Sequence, residues 1–244
     1  MKHLLLIVCI AALAVSLHAQ ERQSPERGFR GVGIGLHLTT RGAGFNIDHF
    51  RGPDPNRPFI IGLALNAVRD SREVLIESAY GEQGKRYVYG KVNHLYVLTP
   101  SVGIQRNLFP LHDNNQVNVR LGVQAGPAIG LLSPYMVEIF ESLPGNSFYG
   151  RRSVQQFNPE NHSYNDIIGK ANFLSEPLNL DFILGFSIKG SVWIDFSRSK
   201  HYISAVQLGM QADIFPKEAP IMVIGPNRQL FVAGSIGLVF GNRW

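Results

Sequence analysis

The feature that most constrains this chain is a strict two-residue alternation of side-chain type. Over residues 116–131 every odd position is apolar or proline, and every even position carries a glycine, an alanine or a polar side chain. Successive side chains of a β-strand point to opposite faces, so this run predicts a strand with one apolar face. Strands of globular proteins usually have about 5–6 residues. The alternation therefore predicts a strand much longer than those of a soluble domain.

The same alternation recurs in seven other segments. The first connection, which would be extracellular, is unusually short, and after that first hairpin the connections alternate in length. Short connections at 40–42, 51–58, 108–115 and 197–200 contrast with long ones at 69–90, 132–177 and 216–228. Short periplasmic turns and longer extracellular loops are typical of transmembrane barrels. The sequence predicts an all-β fold, an eight-stranded antiparallel up-and-down transmembrane β-barrel, with ten strands as the alternative count. The predicted strands are 31–39, 43–50, 59–68, 91–107, 116–131, 178–196, 201–215 and 229–241.

The composition of the polar face indicates which side of the predicted barrel is the inside. Glycine, alanine, serine, asparagine and glutamine dominate that face, and only 17% of the chain is charged. Soluble domains carry about 25% charged residues, and a water-facing wall normally carries many lysines and glutamates. Small side chains suit the crowded interior of eight strands. The apolar face is therefore expected to meet lipid and the polar face to line the lumen.

The first residues have the pattern of a secretory signal peptide. Lys2 and His3 precede an apolar run at 4–15, and Ala19 supplies a small residue before a cleavage point. A membrane helix needs about 20 apolar residues, so this run is too short to be one. We expect a signal peptide at 1–19, a lead-in at 20–30 and a barrel at 31–244, located in the outer membrane of a Gram-negative bacterium.

The only cysteine, Cys9, lies within that apolar run. The mature chain would therefore have no disulfide, no thiolate metal site and no cysteine nucleophile.

Aromatic residues fall at strand ends on the predicted periplasmic side, as in the interfacial girdle of a membrane barrel. Two prolines, Pro100 and Pro127, lie within predicted strands, where proline removes a hydrogen-bond donor from the ladder. We expect local bulges, bends or shorter strands at these prolines. The predicted girdle consists of Phe29, Phe50, Phe59, Phe109, Phe196, Tyr202 and Trp244.

Charged residues of both signs fall on the polar faces of the predicted strands. Buried charges are tolerated when they are paired, and an eight-stranded interior is only wide enough for its own side chains. The pattern favours a hydrogen-bonded plug over an ion path and disfavours a general diffusion pore. The candidate interior charges are Asp48, Lys91, Arg120, Asp181, Lys189 and Asp195.

Four stretches carry a resemblance to a known group of proteins: GAGFNI at 42–47, KRYVYGK at 85–91, FPK at 215–217 and the terminal Trp244. The whole mature chain resembles the small outer-membrane β-barrel proteins of Bacteroidota-type bacteria. Trp244 on an alternating last strand resembles the signal that the barrel-assembly machinery reads. The resemblance implies a location and a fold. That family has no assigned activity, so it implies no functional residues.

No constellation of residues predicts catalysis or metal binding. His162 and Ser163 are adjacent, so they would point to opposite faces of a strand, and no third group is placed to orient them. His112 begins an Asp/Asn-rich turn, and no ligand spacing or phosphate loop occurs. We predict no catalytic, cofactor-binding or metal residues and no cofactor. The histidines of the predicted mature chain are His37, His49, His94, His112, His162 and His201.

The long connections are the expected location of function. Residues 85–89 combine basic and aromatic side chains, which suits anionic lipopolysaccharide or a partner protein, or alternatively an interfacial rim. The connection at 132–177, with a short helix expected at 166–174, is long enough to cover the barrel mouth or dock a neighbour. No long basic run is interleaved with stacking aromatics, so no nucleic-acid partner is expected.

Three functional hypotheses follow from these features. The first is a non-enzymatic outer-membrane barrel that acts as a scaffold or accessory subunit through its long loops. Its partners would be outer-membrane lipid, lipopolysaccharide and an outer-membrane protein. The alternatives are a membrane-embedded hydrolase of lipid or peptide and a narrow channel for small solutes.

Overall fold

The structure is a computed structural model that describes residues 29–54, 56–80, 85–108, 117–143, 146–158, 161–162, 164–172, 180–197, 201–223 and 225–244. At 141–143 and 146–149 the backbone alone is described. The predicted signal peptide lies outside these ranges and stays a prediction. Within the ranges, no helix has the length and apolarity needed to cross a membrane.

Thirteen β-strands make up the described secondary structure, together with one 3-10 turn at Tyr164–Asp166. In chain order they are β1 Phe29–Thr39, β2 Gly42–Gly52, β3 Phe59–Val68, β4 Leu75–Ile76, β5 Tyr87–Val88, β6 Asn93–Asn107, β7 Asn118–Pro134, β8 Met136–Leu143, β9 Asn146–Gln156, β10 Ile167–Lys170, β11 Asp181–Asp195, β12 Tyr202–Ala219 and β13 Arg228–Arg243.

Eight of these strands close into an antiparallel barrel in the order β1-β2-β3-β6-β7-β11-β12-β13. Closure comes from β1, which pairs with β2 on one side and with β13 on the other, from Gly31 opposite Arg243 to Thr39 opposite Ser235. Closing the sheet removes the exposed edges that an open sheet would have. The predicted fold class and the count of eight are confirmed, and the alternative of ten barrel strands is wrong.

The remaining strands form two small sheets at one end of the barrel, which we call the cap. β4 and β5 form a hairpin, and β10, β8 and β9 form a three-stranded sheet in that order. The helix expected at 166–174 is wrong, because Ile167–Lys170 pairs with β8 as strand β10; residues 173–174 lie outside the described ranges. We call this end of the barrel the cap end. The opposite end carries the connections at 53–58, 108–117 and 196–201, and we call it the turn end.

The outer wall of the barrel is apolar. Leucine, isoleucine, valine and phenylalanine side chains alternate outward along every barrel strand, and Leu36 has an exposed fraction of 70%. Polar side chains of the same strands are buried inside. This is the arrangement of transmembrane barrels and the reverse of a soluble barrel. Exposed wall residues include Ile34, Leu36, Leu38, Ile61, Leu63, Val102, Ile104, Val123, Phe182, Leu184, Phe186, Met210, Ile214, Ile236, Leu238 and Phe240.

The lumen is layered. Near the turn end an apolar layer contains Phe50, Ile60, Trp193, Ile203, Ala205 and Val239. A polar layer follows, with His37, Asn46, Asp48, Asn66, Thr99, Gln124, Ser187, Ser191, Gln207 and Asp213. A larger apolar cluster then lies at the cap end and continues into both cap sheets.

Phe50 corrects the predicted girdle, because its side chain is fully buried and packs edge-on against Trp193 with ring centroids 5.5 Å apart. Alternation with Asn46 and Asp48 places it inside. The girdle prediction holds for Phe59, Phe196, Tyr202 and Trp244, which are exposed at the turn end. Phe29 is half-buried against the apolar layer near the turn end. Phe109 lies outside the described residues.

The two prolines are accommodated without a shift of register. β6 and β7 pair up to Leu98 opposite Ile129 and resume at Val102 opposite Ala125, in the same register. The ladder between these two strands is interrupted at residues 99–101, while Pro127 stays opposite Phe186 of β11. The expected bulge is therefore absent from this described strand pair, and a gap in the pairing replaces it.

Candidate functional site

The polar layer of the lumen is a connected hydrogen-bond network. Asp48 accepts from Asn46 Nδ2 at 2.5 Å and from Gln124 Nε2 at 2.9 Å. The His37 ring nitrogens lie 3.2 Å from Asn46 Oδ1 and 2.6 Å from Asn66 Oδ1. These bonds connect β1, β2, β3 and β7 across the lumen. The plug predicted from the charge pattern is present as this network.

A second cluster lies at the turn end. Asp195 is 4% exposed and accepts from Arg120 Nη2 at 2.6 Å and also from Arg243. Ser197 donates to the same carboxylate. Two guanidinium groups thus share one buried carboxylate, which is the arrangement in which buried charge is tolerated.

Four of the six candidate interior charges are placed as predicted: Asp48, Arg120, Lys189 and Asp195 lie in the lumen. Lys91 is buried at the cap end beside Glu73, with Lys91 Nζ 2.7 Å from Glu73 Oε2. Asp181 is a wrong prediction, because it is exposed at the cap-end tip of β11. Its position has the inward register, but the strand begins there and the side chain reaches solvent.

Two small cavities lie inside the part of the barrel that the structure describes. A cavity of about 10 Å³ lies beside Asn46, Asp48 and Lys189, and one of about 20 Å³ lies beside Asn66 and Gln211. A single water needs roughly 10–15 Å³ of such volume. These two spaces hold about one water each, which disfavours passage of solutes through this part of the lumen.

The large cavity lies at the cap end, and we call it the basin. It has a volume of about 950 Å³ and lies between the barrel rim and the β4–β5 hairpin. Its rim comes from β1, β2, β3 and β6, and its far side from β5, Tyr135 and Lys170. Five basic side chains line it: Arg41, Arg69, Arg86, Lys91 and Lys170. Ligand sites of proteins commonly enclose about 300–1,000 Å³.

Two carboxylates line the basin, and each has a basic partner. Arg72 holds Asp70 through Nε at 2.8 Å and Nη2 at 2.9 Å. The Arg72 hydrogen bonds lower the pKa of Asp70 below its usual value. Glu73 is paired with the buried Lys91, whose pKa burial lowers. The acidic groups are therefore compensated within the protein.

Residues 85–89, which the sequence singled out, divide between core and basin. Tyr87 and Val88 are buried, with Tyr87 only 1% exposed, and Tyr89 packs against Phe157 with centroids 5.4 Å apart. Val88 N donates to the Tyr135 hydroxyl at 3.0 Å. The expected interfacial aromatic rim is wrong, because these tyrosines face the protein interior. Arg86 is exposed and lines the basin.

His162 has a structural environment. It is buried, its Nδ1 accepts from Asn158 N at 3.1 Å, and its ring lies 6.2 Å from that of Phe157. Ser163 and His112 lie outside the described residues. Across the part of the chain that the structure describes, no group of three His, Cys, Asp or Glu could hold a metal ion.

Sequence reasoning missed most of the basin. Arg41, Arg69 and Lys170 are far apart in the sequence, and the barrel closure and the cap sheets bring them to one cavity. Tyr135 follows directly after β7. Lys91 Nζ and Lys170 Nζ lie 5.7 and 5.9 Å from the centroid of its ring. The one available indication was the density of basic residues in the connections.

No family model matches the chain, and no curated protein matches it either. The resemblance to Bacteroidota-type barrels stays a prediction. Among solved structures, Ail, the attachment invasion locus protein of Yersinia pestis crystallised with the heparin analogue sucrose octasulfate, is 9% identical with a TM-score of 0.40. That match covers 89% of this chain and 99% of Ail.

Two further solved structures give similar values. The N-terminal β-barrel domain of Pseudomonas aeruginosa OprF is 9% identical with a TM-score of 0.39, covering 89% of this chain and 100% of that one. Neisserial surface protein A is 9% identical with a TM-score of 0.38, covering 88% and 95%. Likeness at this level does not establish a shared function.

Proposed function

We propose that the chain is a non-enzymatic integral outer-membrane barrel that serves as a scaffold or accessory subunit. The exposed apolar wall supports insertion in a bilayer,. The long insertions lie at one end, together with the short β1–β2 turn, and the other end has short connections, which supports an extracellular cap and a periplasmic turn end,. Outer-membrane lipid and lipopolysaccharide would then surround the wall and the cap rim.

The cap is the observation that carries the scaffold role. Its two sheets share one continuous apolar cluster with the cap end of the lumen, including Leu95, Tyr135, Val137, Phe157 and Ile167. A segment anchored in this way presents its surface in a fixed geometry, so little conformational entropy of the cap is lost when a partner binds. A folded cap on a filled barrel suits docking better than transport.

The partner surface we propose is strand β9. Among the described residues β9 pairs only with β8, so its other edge can accept a strand from a partner,. Arg151 and Arg152 are exposed on it. An outer-membrane protein that offers an acidic extended segment fits this edge in backbone pattern and in charge.

Purification from native outer membranes in mild detergent tests this proposal. We expect the tagged mature chain to retain a stoichiometric outer-membrane protein, and the double variant Arg151→Glu, Arg152→Glu to lose it. Arg57→Glu, a charge reversal on an exposed residue of the turn end, should retain it. A wild-type chain that runs only as a free monomer would contradict the scaffold role.

A further inference from the structure

We propose that the basin binds the phosphate groups of a phosphorylated sugar. The cavity of about 950 Å³ is wide enough for a sugar ring with its phosphates,. It lies at the barrel rim, next to the level where the apolar wall ends. A headgroup in the outer leaflet and a soluble sugar phosphate can both reach such a position.

The charge of the basin is positive after its internal pairs are counted. Lys91 is neutralised by Glu73, and Asp70 is neutralised by Arg72. The other four basic side chains make no ion pair with a carboxylate in the described part of the chain. These are Arg41, Arg69, Arg86 and Lys170. Four cations around one cavity, without a carboxylate partner among the described residues, attract a ligand with several negative charges,.

The backbone holds two of these cations next to each other. Arg69 N donates to the Arg41 carbonyl oxygen at 2.7 Å, which connects the β1–β2 turn to the end of β3. Arg41 Nε donates to the Val232 carbonyl oxygen at 2.8 Å. The guanidinium of Arg41 is thereby fixed at the rim, so little side-chain entropy is lost when an anion binds.

Two buried donors of the basin lack partners among the described residues. Arg41 Nη1 and the Tyr87 hydroxyl are both buried without a hydrogen bond. Burial raises the pKa of Tyr87 to about 12, so the hydroxyl keeps its proton and can donate at neutral pH. A buried donor left unpaired costs free energy, which a bound acceptor oxygen would recover.

Phosphate is the anion that this donor set fits best. Arginine donates in a planar fork that matches phosphate oxygens, and three of the four uncompensated cations are arginines. Tyr87, Tyr96 and Tyr135 also line the basin. Tyrosine rings give a sugar an apolar face to pack on and hydroxyls to bond with. The site is separate from the β9 edge, so it does not depend on the proposed partner; only the lipid source depends on an outward-facing cap.

The experiment measures binding to the refolded or natively purified mature chain in detergent. The first probe is an acyl-free bisphosphorylated glucosamine disaccharide, followed by calorimetry, with its dephosphorylated form beside it. The second probe is a phosphatidylethanolamine vesicle with or without lipid A, followed by flotation. We expect phosphate-dependent binding that weakens roughly tenfold or more in the variant Arg69→Gln, Arg86→Gln.

Both substituted residues are exposed, so the variant should fold, and an unchanged melting curve checks this. Arg51→Gln, Arg57→Gln removes the same charge from exposed residues near the turn end and should bind as wild type does. Binding to the soluble disaccharide alone identifies a free sugar phosphate, and binding to lipid A vesicles alone identifies a lipid headgroup. Phosphate-independent binding, absence of binding to both probes, or equal loss in the two double variants overturns the proposal.

Discussion

Asp195 lies between Arg120 and Arg243 at the turn end of the lumen. The carboxylate is buried, and both guanidinium groups depend on it for their charge balance. In a site of this kind the two cations would be left buried and uncompensated if the anion were removed. We therefore expect Asp195 to contribute strongly to the stability of the turn end.

We predict that Asp195→Ala lowers the free energy of unfolding by about 3–5 kcal/mol, since it leaves the buried Arg120 and the partly buried Arg243 without this carboxylate,. Urea unfolding in detergent micelles, followed by tryptophan fluorescence, measures this. Asp181→Ala removes a carboxylate from an exposed strand end and should leave the midpoint unchanged. Equal midpoints for the two variants would show that the cluster contributes nothing.

Asp70 gives a prediction about acid. The Arg72 hydrogen bonds lower the pKa of the folded carboxyl, so its stabilising contribution is present above about pH 4, the unfolded value,. The contribution is lost as pH falls through the lowered folded pKa. We expect the unfolding midpoint of wild type to exceed that of Asp70→Asn at pH 7 and the gap to close in acid. A gap that stays constant with pH would contradict this linkage.

At the scale of the elements, the backbones of β6 and β7 lie very close to each other beside Pro100. A Cβ on Gly126 would overlap the carbonyl oxygen of Pro100. That oxygen lies in the stretch where the ladder between the two strands is interrupted. Glycine at 126 therefore allows the two backbones to stay this close where the ladder is interrupted.

We expect Gly126→Ala to cost about 1–3 kcal/mol, because β6 and β7 must move apart to admit the methyl group. Gly190→Ala is the matched control, since a Cβ there meets nothing within 4 Å. The midpoint of urea unfolding compares the two. If both variants unfold at the same midpoint, the close approach at Gly126 has no energetic consequence.

The strands were predictable and the lumen was only partly so. Alternation predicted all eight barrel strands because lipid and lumen impose opposite polarity on the two faces. Phe50 was assigned to the girdle by its place at a strand end, although its register with Asp48 pointed inward. Trp193 has the same register relation to Asp195 and was overlooked. Aromatic side chains at inward positions of a narrow barrel indicate a plug layer.

The basin could not be predicted, for a different reason. Its cations come from the β1–β2 turn, the connections before β4, β5 and β6, and the end of β10. Nothing local in the sequence pairs these positions, because the barrel closure and the three-stranded sheet bring them together. The strand β10 itself replaced a predicted helix, since its apolar residues Ile167 and Ile168 are buried against β8 and the cap core.

At the scale of the whole molecule, the layers of the lumen decide what can cross it. Two apolar layers enclose a hydrogen-bonded polar layer, and the apolar layer near the turn end contains the large side chains Phe50 and Trp193. Charged solutes would have to shed their hydration to cross either apolar layer. The filled lumen therefore favours a barrel that anchors and does not conduct.

We predict that the purified chain produces no current steps in planar bilayers. The variant Phe50→Ala, Trp193→Ala thins the apolar layer near the turn end. It should also give no current steps, because the apolar layer at the cap end remains. A heat-shifted band on gels confirms that each sample is folded before the recording. Discrete steps from folded wild type would support the channel alternative.

The layered lumen also bears on how abundant the protein can be. Every open channel added to the cell surface weakens the barrier that keeps bile salts and large antibiotics out. A barrel that conducts nothing, as we predict for this chain, adds no such leak. We therefore expect that its abundance in the membrane is not limited by permeability.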